Sequence, residues 1–188
     1  FVTMNKEKMS KSLGNITTIE EATKKYSGQV VRLSLLSAQY KQPLDWNNNL
    51  LVEQSKTLDK WYSMYSSEVS EKIPECFNDL LDDMNTPLYI SKLHEMFNQA
   101  QKGDIEKKKE FNKACRLIGL FYETNEKRAE YKKSKVKISE DIILNKIKDR
   151  DDAKKKGDYK LADKIRDDLS KEGIDIKDEK GKTTWNYK

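Results

Sequence analysis

The chain has 188 residues, with 37 Lys or Arg against 32 Asp or Glu, a formal balance of +5, only 36% hydrophobic residues and a mean hydropathy of −0.93. This polar composition predicts two small helical units rather than one large domain. It excludes a membrane span, since charge-free stretches such as Leu33 to Tyr40 are short and contain Ser and Gln, and it excludes a disulfide framework, since Cys76 and Cys115 are isolated cysteines in apolar helical surroundings that suit a reducing cytoplasm.

Residues 1–15 are expected as a short hairpin or strand followed by a loop that closes on the Gly14-Asn15 turn signal. With Phe1 first and no apolar targeting region ahead of the lysine-rich Thr3–Asn15 stretch, the chain reads as starting inside a larger protein. Thr17 and Thr18 with Glu20 and Glu21 offer two registers of a capping box, and Ile19, Ala22 and Thr23 supply an inward face. From Gln29, the residues Val30, Val31, Leu33, Leu35, Leu36 and Ala38 predict a buried helix that ends before Pro43.

Asn47–Asn49 are N-cap candidates for an amphipathic helix carrying Leu51, Leu58, Trp61, Tyr62 and Tyr65. Pro74 suits the first turn of another helix, with Phe77, Leu80, Leu81 and Met84 inward, and Thr86-Pro87 repeats the cap-then-proline start. Leu93, Phe97 and Ala100 extend that stripe to Gly103, and Asp104 caps a helix carrying Phe111, Ala114, Cys115, Ile118 and Phe121. An antiparallel helical bundle over 47–124 follows from the short connections.

Residues 125–138 are almost continuously charged and read as a linker or an extended helix end. Ser139 opens a helix with Ile142, Ile143 and Ile147 inward, and Asp158 caps a second with Leu161, Ala162, Ile165 and Leu169 inward, stopped by Gly173. Ile174 and Ile176 alternate as a strand, Glu179–Gly181 turn, and Thr183–Trp185 return, giving a small α+β module over 139–188 with Trp185 closing its core. Charge is uneven along this order, with 17 basic and 18 acidic residues up to 126 and 20 against 14 beyond it. Such a bias suits a polyanionic partner, or simply a solvated lysine-rich surface.

The most specific local feature is Lys8-Met9-Ser10-Lys11-Ser12, followed by Leu13-Gly14-Asn15. Two lysines three apart in a loop of small residues can address one triphosphate while serine and glycine let the backbone approach it. An exposed basic loop is the plain alternative, since no carboxylate for Mg stands beside it. His94 is the only histidine and reads as a packing or surface residue, so no zinc-ligand set is present and no metal site is expected within this chain.

Lys8 to Ser12 resembles the KMSKS loop, the ATP-binding signature of class I aminoacyl-tRNA synthetases. Val30-Val31-Arg32 with Leu35–Tyr40, then Pro43-Leu44-Asp45-Trp46, is similar to the segment after that loop in cysteinyl-tRNA synthetases. Phe77 with Asp82–Pro87, and the run from Arg150-Asp151-Asp152-Ala153 through Ala162–Arg166 to Thr183-Thr184-Trp185, resemble the same family. The resemblance spans the chain.

It implies a mainly α protein in which residues 1–15 are the KMSKS end of a Rossmann-type catalytic domain. Residues 16–46 would then be a stem-contact helical segment, 47–124 a bundle, 125–138 a charged linker and 139–188 an anticodon-binding module. It implies activation of cysteine by ATP with Mg and transfer to tRNA(Cys) in the cytoplasm, by a monomer, with zinc held through residues upstream of this chain. Lys11 would be the catalytic lysine, and Lys8, Met9, Ser10, Lys11 and Ser12 the ATP contacts. Without the upstream histidine signature and zinc site, the chain alone is expected to be inactive.

At the RNA end, Asp163 and Asp178 are candidate acceptors for the N1–H and N2–H of a guanine, and Tyr159 a stacking platform. Relatives often carry Trp and Arg where this chain has Tyr159 and Lys154, the latter losing the planar guanidinium fork. The same residues could instead pack Tyr159 between two helices and pair Asp163 with Lys160 or Arg166. Rival readings are a non-catalytic tRNA-binding module and a cysteine ligase paralogue of mycothiol biosynthesis, the second opposed by the presence of residues 139–188.

Overall fold

The computed structural model describes residues 2–179 and 182–187. The described chain is mainly helical with two small sheets, and it divides into two compact units at Thr124 and Asn125.

In the first unit, β1 (Val2–Met4) and β2 (Glu7–Lys8) form an antiparallel hairpin across Asn5 and Lys6, whose φ angles of 50° and 69° are those of a tight hairpin turn. The capping box settles in the Thr18 register with Glu21, starting α1 (Ile19–Lys25). Only Ala22 of its expected inward face is buried, Ile19 being 72% exposed. Ser27 caps α2 (Gly28–Leu36), which starts one residue before the Gln29 at which the apolar pattern begins. The chain then returns as β3 (Leu44–Trp46), a strand the sequence did not announce, which pairs parallel to β1 with Thr3 opposite Asp45. A parallel partner needs a crossover, and α1 with α2 provide it.

Asn47 caps α3 (Asn48–Tyr62) through a bond to the Leu50 N–H. Pro74 lies ahead of α4 (Phe77–Leu81), and two residues expected inward there, Leu81 and Met84, are 70% and 56% exposed because the chain turns sharply at left-handed Asp83 and Met84. Asn85, not Thr86, caps α5 (Thr86–Ala100), with Pro87 in its first turn. Asp104 caps α6 (Ile105–Leu117). The core joins Val30, Val31 and Leu33 to Leu58 and Trp61, Tyr89, Leu93 and Phe97, and Phe111, Ala114 and Cys115.

Inside this core Gln29 is fully buried and fully used. Its Nε2 donates to the Tyr62 hydroxyl at 2.8 Å and to Glu123 at 3.1 Å, and its Oε1 accepts the Phe121 N–H at 2.8 Å. These bonds hold Phe121 in its left-handed conformation (φ 59°). Close by in sequence, Arg32 donates from Nε to the Ile118 carbonyl at 2.5 Å, lying where a side chain on Gly119 (φ 74°) would stand.

In the second unit, the stretch that read as a linker or an extended helix end forms α7 (Asn125–Lys135). Then come α8 (Glu140–Lys155), α9 (Tyr159–Lys171) capped by Asp158, and the antiparallel pair β4 (Ile174–Glu179) and β5 (Lys182–Tyr187). Lys180 and Gly181, in the expected turn, lie outside the described residues. Ile143, Ile147, Leu169, Ile174 and Ile176 make the core, with Trp185 packed against it. Ile142 and Leu161, both expected inward, are each 45% exposed, since each sits one residue before the buried position of its helix.

Candidate functional site

The loop after β2 is closed by Asn15. Its Oδ1 accepts the Ser10 N–H at 2.9 Å and its Nδ2 donates to the Lys8 carbonyl at 3.2 Å. Ser10 Oγ lies 3.2 Å from Ser12 Oγ and accepts the Leu13 N–H at 3.3 Å, while Gly14 (φ 64°) donates back to the Lys11 carbonyl at 3.1 Å. Met9 packs against the core and anchors the loop. Lys8 and Lys11 stay exposed, and among the described residues neither ammonium has an ion-pair partner. Two free cations flank hydroxyls on a pinned backbone, a donor set suited to phosphate oxygens.

Asp45 ties this hairpin to the helices. Its carboxylate accepts the Lys6 N–H at 2.6 Å, the Thr3 hydroxyl at 2.9 Å and the Asn47 amide at 2.9 Å. These bonds, the Lys6 N–H first, hold its carboxyl below the usual range. A second carboxylate joins two stretches that carry the family resemblance. Asp83 accepts from Lys41 Nζ at 2.6 Å, the Tyr40 hydroxyl at 2.8 Å and the Gln39 amide at 3.2 Å. Sequence reasoning had no signal for either link, since each spans about 40 residues.

In the second unit, Tyr159 opens α9 with 67% of its surface exposed, so it does not pack between the helices. Asp163, one helical turn on and exposed, shares its face. Among the described residues neither side chain has a hydrogen-bond or ion-pair partner, and Lys160 and Arg166 leave Asp163 alone. Asp178 is the opposite case. Arg150 donates to its two oxygens at 3.0 and 2.7 Å, Lys154 at 2.7 Å and the Thr183 hydroxyl at 3.0 Å. Arg150 first, then Lys154, hold the Asp178 carboxyl far below the usual range. Arg150, 2% exposed, was given no role in the sequence beyond opening the family-like run, although it stands four residues before Lys154 and so on the same stripe of α8.

Other polar groups are structural. His94, exposed on α5, sets its ring edge-on to Trp61 at 4.9 Å, and its partial burial with Lys60 nearby lowers its pKa. Cys76 and Cys115 are free and buried, and burial pushes both thiols up. Among the described residues no three His, Cys, Asp or Glu side chains come together as metal ligands, so zinc finds no fitting donor set there. No described helix is long and apolar enough to cross a membrane.

Residues 1–57 match the family described as tRNA synthetases class I (C) catalytic domain. A protein named cysteine--tRNA ligase from Pelagibacter ubique is 45% identical over 190 aligned residues, covering 100% of this chain and 42% of that protein. Proteins of the same name from Afipia carboxidovorans and Rickettsia bellii are 37% and 38% identical, each over 98% of the chain and 40% and 42% of their own lengths. The chain thus spans about two-fifths of the length of the curated relatives it matches. Over 98–100% of its length the chain is thus similar to a portion of proteins named cysteine--tRNA ligase, and over residues 1–57 to the class I tRNA synthetase catalytic domain.

Proposed function

We propose that this chain is the part of a cysteine-tRNA ligase that supplies the KMSKS loop for ATP and the surface that reads tRNA(Cys). The observation that carries the proposal is the coexistence, in one chain related to these ligases throughout, of an unpaired lysine pair on a pinned loop and an exposed tyrosine–carboxylate face on α9. Residues 1–15 would complete a Rossmann-type catalytic domain, 16–46 would meet the tRNA stem, 47–124 would form the bundle and 139–188 the anticodon module.

In cysteine activation the amino-acid carboxylate attacks the α-phosphorus of ATP, and pyrophosphate leaves. Negative charge grows on the departing group, and a cation aimed there stabilises the transition state more than the ground state. Lys11 takes that role, with Lys8, Met9, Ser10 and Ser12 shaping the loop around the phosphates. The loop from Lys8 to Asn15 contains no carboxylate, so Mg enters with ATP and is not held there. Zinc, if present in the ligase, binds outside this chain.

At the other end Tyr159 offers its ring to an unstacked base, Asp163 and Asp178 accept from a guanine edge, and Lys154 supplies positive charge. The ligase acts as a monomer on tRNA(Cys), ATP and cysteine. The test is a binding titration of the 188-residue chain with tRNA(Cys) and with the same tRNA bearing a substituted anticodon. The proposal expects a preference of about tenfold or more for the native anticodon. Equal binding of the two overturns the anticodon assignment.

A further inference from the structure

Asp45 divides its two carboxylate oxygens between two parts of the first unit. Oδ1 accepts the Lys6 N–H at 2.6 Å and the Thr3 hydroxyl at 2.9 Å, both from the hairpin of β1 and β2, and Oδ2 accepts the Asn47 amide at 2.9 Å. Asn47 in turn caps α3, its side-chain oxygen accepting the Leu50 N–H at 2.9 Å. One carboxylate therefore stands between the turn of the hairpin and the first turn of a 15-residue helix.

The hairpin needs such a support. Its β2 strand has two residues, both exposed, and a two-stranded ribbon alone is marginal in water. Its turn places Asn5 and Lys6 at φ 50° and 69°, a conformation that costs an ordinary side chain about 1–2 kcal/mol, and the N–H that Asp45 accepts belongs to Lys6 of that turn. The same small sheet carries the lysine loop. Lys8 lies opposite Thr3, and Thr3 opposite Asp45, so the three form one row across β2, β1 and β3. In the neighbouring row of Glu7, Met4 and Trp46, the last two belong to the core, which leaves Lys8, Thr3 and Asp45 on the face turned away from it. Since β2 ends at Lys8 and runs directly into Met9, the orientation of the hairpin sets where the loop begins.

We propose that Asp45 is a positioning residue for the lysine loop: by holding the Asn5–Lys6 turn against the start of α3, it fixes the approach of Lys11 to the departing pyrophosphate. Asp45 itself touches no substrate in this role, which rests on the ATP reading above and deepens it. Its Oδ1 keeps the hairpin turn in place, and its Oδ2 ties that turn to a helix end whose own cap depends on the same Asn47 side chain.

The experiment measures cysteine-dependent ATP–pyrophosphate exchange by the complete ligase in wild type, Asp45→Ala, Lys11→Ala and the double variant, with circular dichroism to confirm the fold of each. A misplacement of about 1 Å at a reacting group costs up to about a hundredfold. Asp45→Ala should therefore lower kcat by about tenfold, with the KM for cysteine within about twofold of wild type. In the Lys11→Ala background the same substitution should cost less than about a further twofold, because the group it positions is gone. An Asp45 that merely supports the fold costs the same factor in both backgrounds, and that result overturns the positioning role, as does a wild-type kcat in Asp45→Ala. Should Asp45→Ala fail to fold, Asp45→Asn keeps an oxygen for Lys6 and Thr3 but removes the charge and sets an amide against the Asn47 amide. Its slowing, about threefold, should likewise vanish beside Lys11→Ala, and equal slowing in both backgrounds overturns the role. Lys11→Ala separates the two readings: exchange at the wild-type rate there sinks the ATP assignment of the loop itself, whereas slowed exchange there with a full, additive cost of Asp45→Ala sinks only the role of Asp45.

Discussion

Arg150 and Asp178 meet through two hydrogen bonds of 3.0 and 2.7 Å, joining the buried stripe of α8 to the far end of β4. The Asp178 carboxyl is held well below the usual carboxylate range, by Arg150 first. A depressed native pKa gives stability that is whole above the unfolded pKa, about 3.9, and is lost as pH falls below it toward the native value. Asp178→Asn should therefore destabilise the second unit at neutral pH by about 2 kcal/mol, less than for a fully buried pair because its side chain stays 45% exposed. The gap from wild type should narrow as pH drops from about 5 to about 2. Thermal melts across that range check both statements.

Gln29→Leu should cost roughly 3 kcal/mol. The substitution keeps volume but strands the Phe121 N–H inside the core and leaves the Tyr62 hydroxyl its weaker bond to the Glu123 carbonyl at 3.3 Å, and a buried orphan costs about 1–3 kcal/mol. Urea unfolding followed by tryptophan fluorescence, sensitive to buried Trp61, measures it.

Gly119→Ala should destabilise by about 1–3 kcal/mol, from a left-handed alanine and a new Cβ placed 2.6 Å from Arg32 Nε. In an Arg32→Ala background the steric part disappears and the conformational part remains, so a double-mutant cycle should show a coupling that vanishes if Arg32 does not occupy that space.

Tyr159→Ala should weaken tRNA binding by roughly 1–3 kcal/mol, the worth of one stacked base, with little effect on stability because the ring is 67% exposed. Filter binding together with a thermal melt distinguishes lost stacking from lost fold.

Features set by neighbours in sequence were legible. The Thr18–Glu21 box, the Asp104 and Asp158 caps, and the stripe of Leu93, Phe97 and Ala100 follow from local spacing. What escaped depends on distant partners. Three residues of β3 carry no period, and they become a strand only because β1 lies beside them. Gln29 looked like a helix start, yet it serves as a polar core hub because Tyr62 and Phe121 come to it from far along the chain. Leu81 and Met84 were assigned inward by period, and the left-handed turn at Asp83 and Met84 breaks that period. Residues 125–135 lack an apolar stripe, so their helix was legible only as one of two alternatives. At the sites, the lysine loop was readable as a string, whereas Asn15, Asp45 and Arg150, which hold the functional groups in place, act across turns and strands.

Lys11 offers the most direct measurement. In the complete ligase, Lys11→Ala should slow cysteine-dependent ATP–pyrophosphate exchange by roughly a hundredfold, the usual cost of removing one donor aimed at developing charge, while affinity for tRNA(Cys) stays within about twofold because the proposed tRNA contacts lie outside this loop. Exchange at the wild-type rate would contradict the assignment of this loop to the departing pyrophosphate.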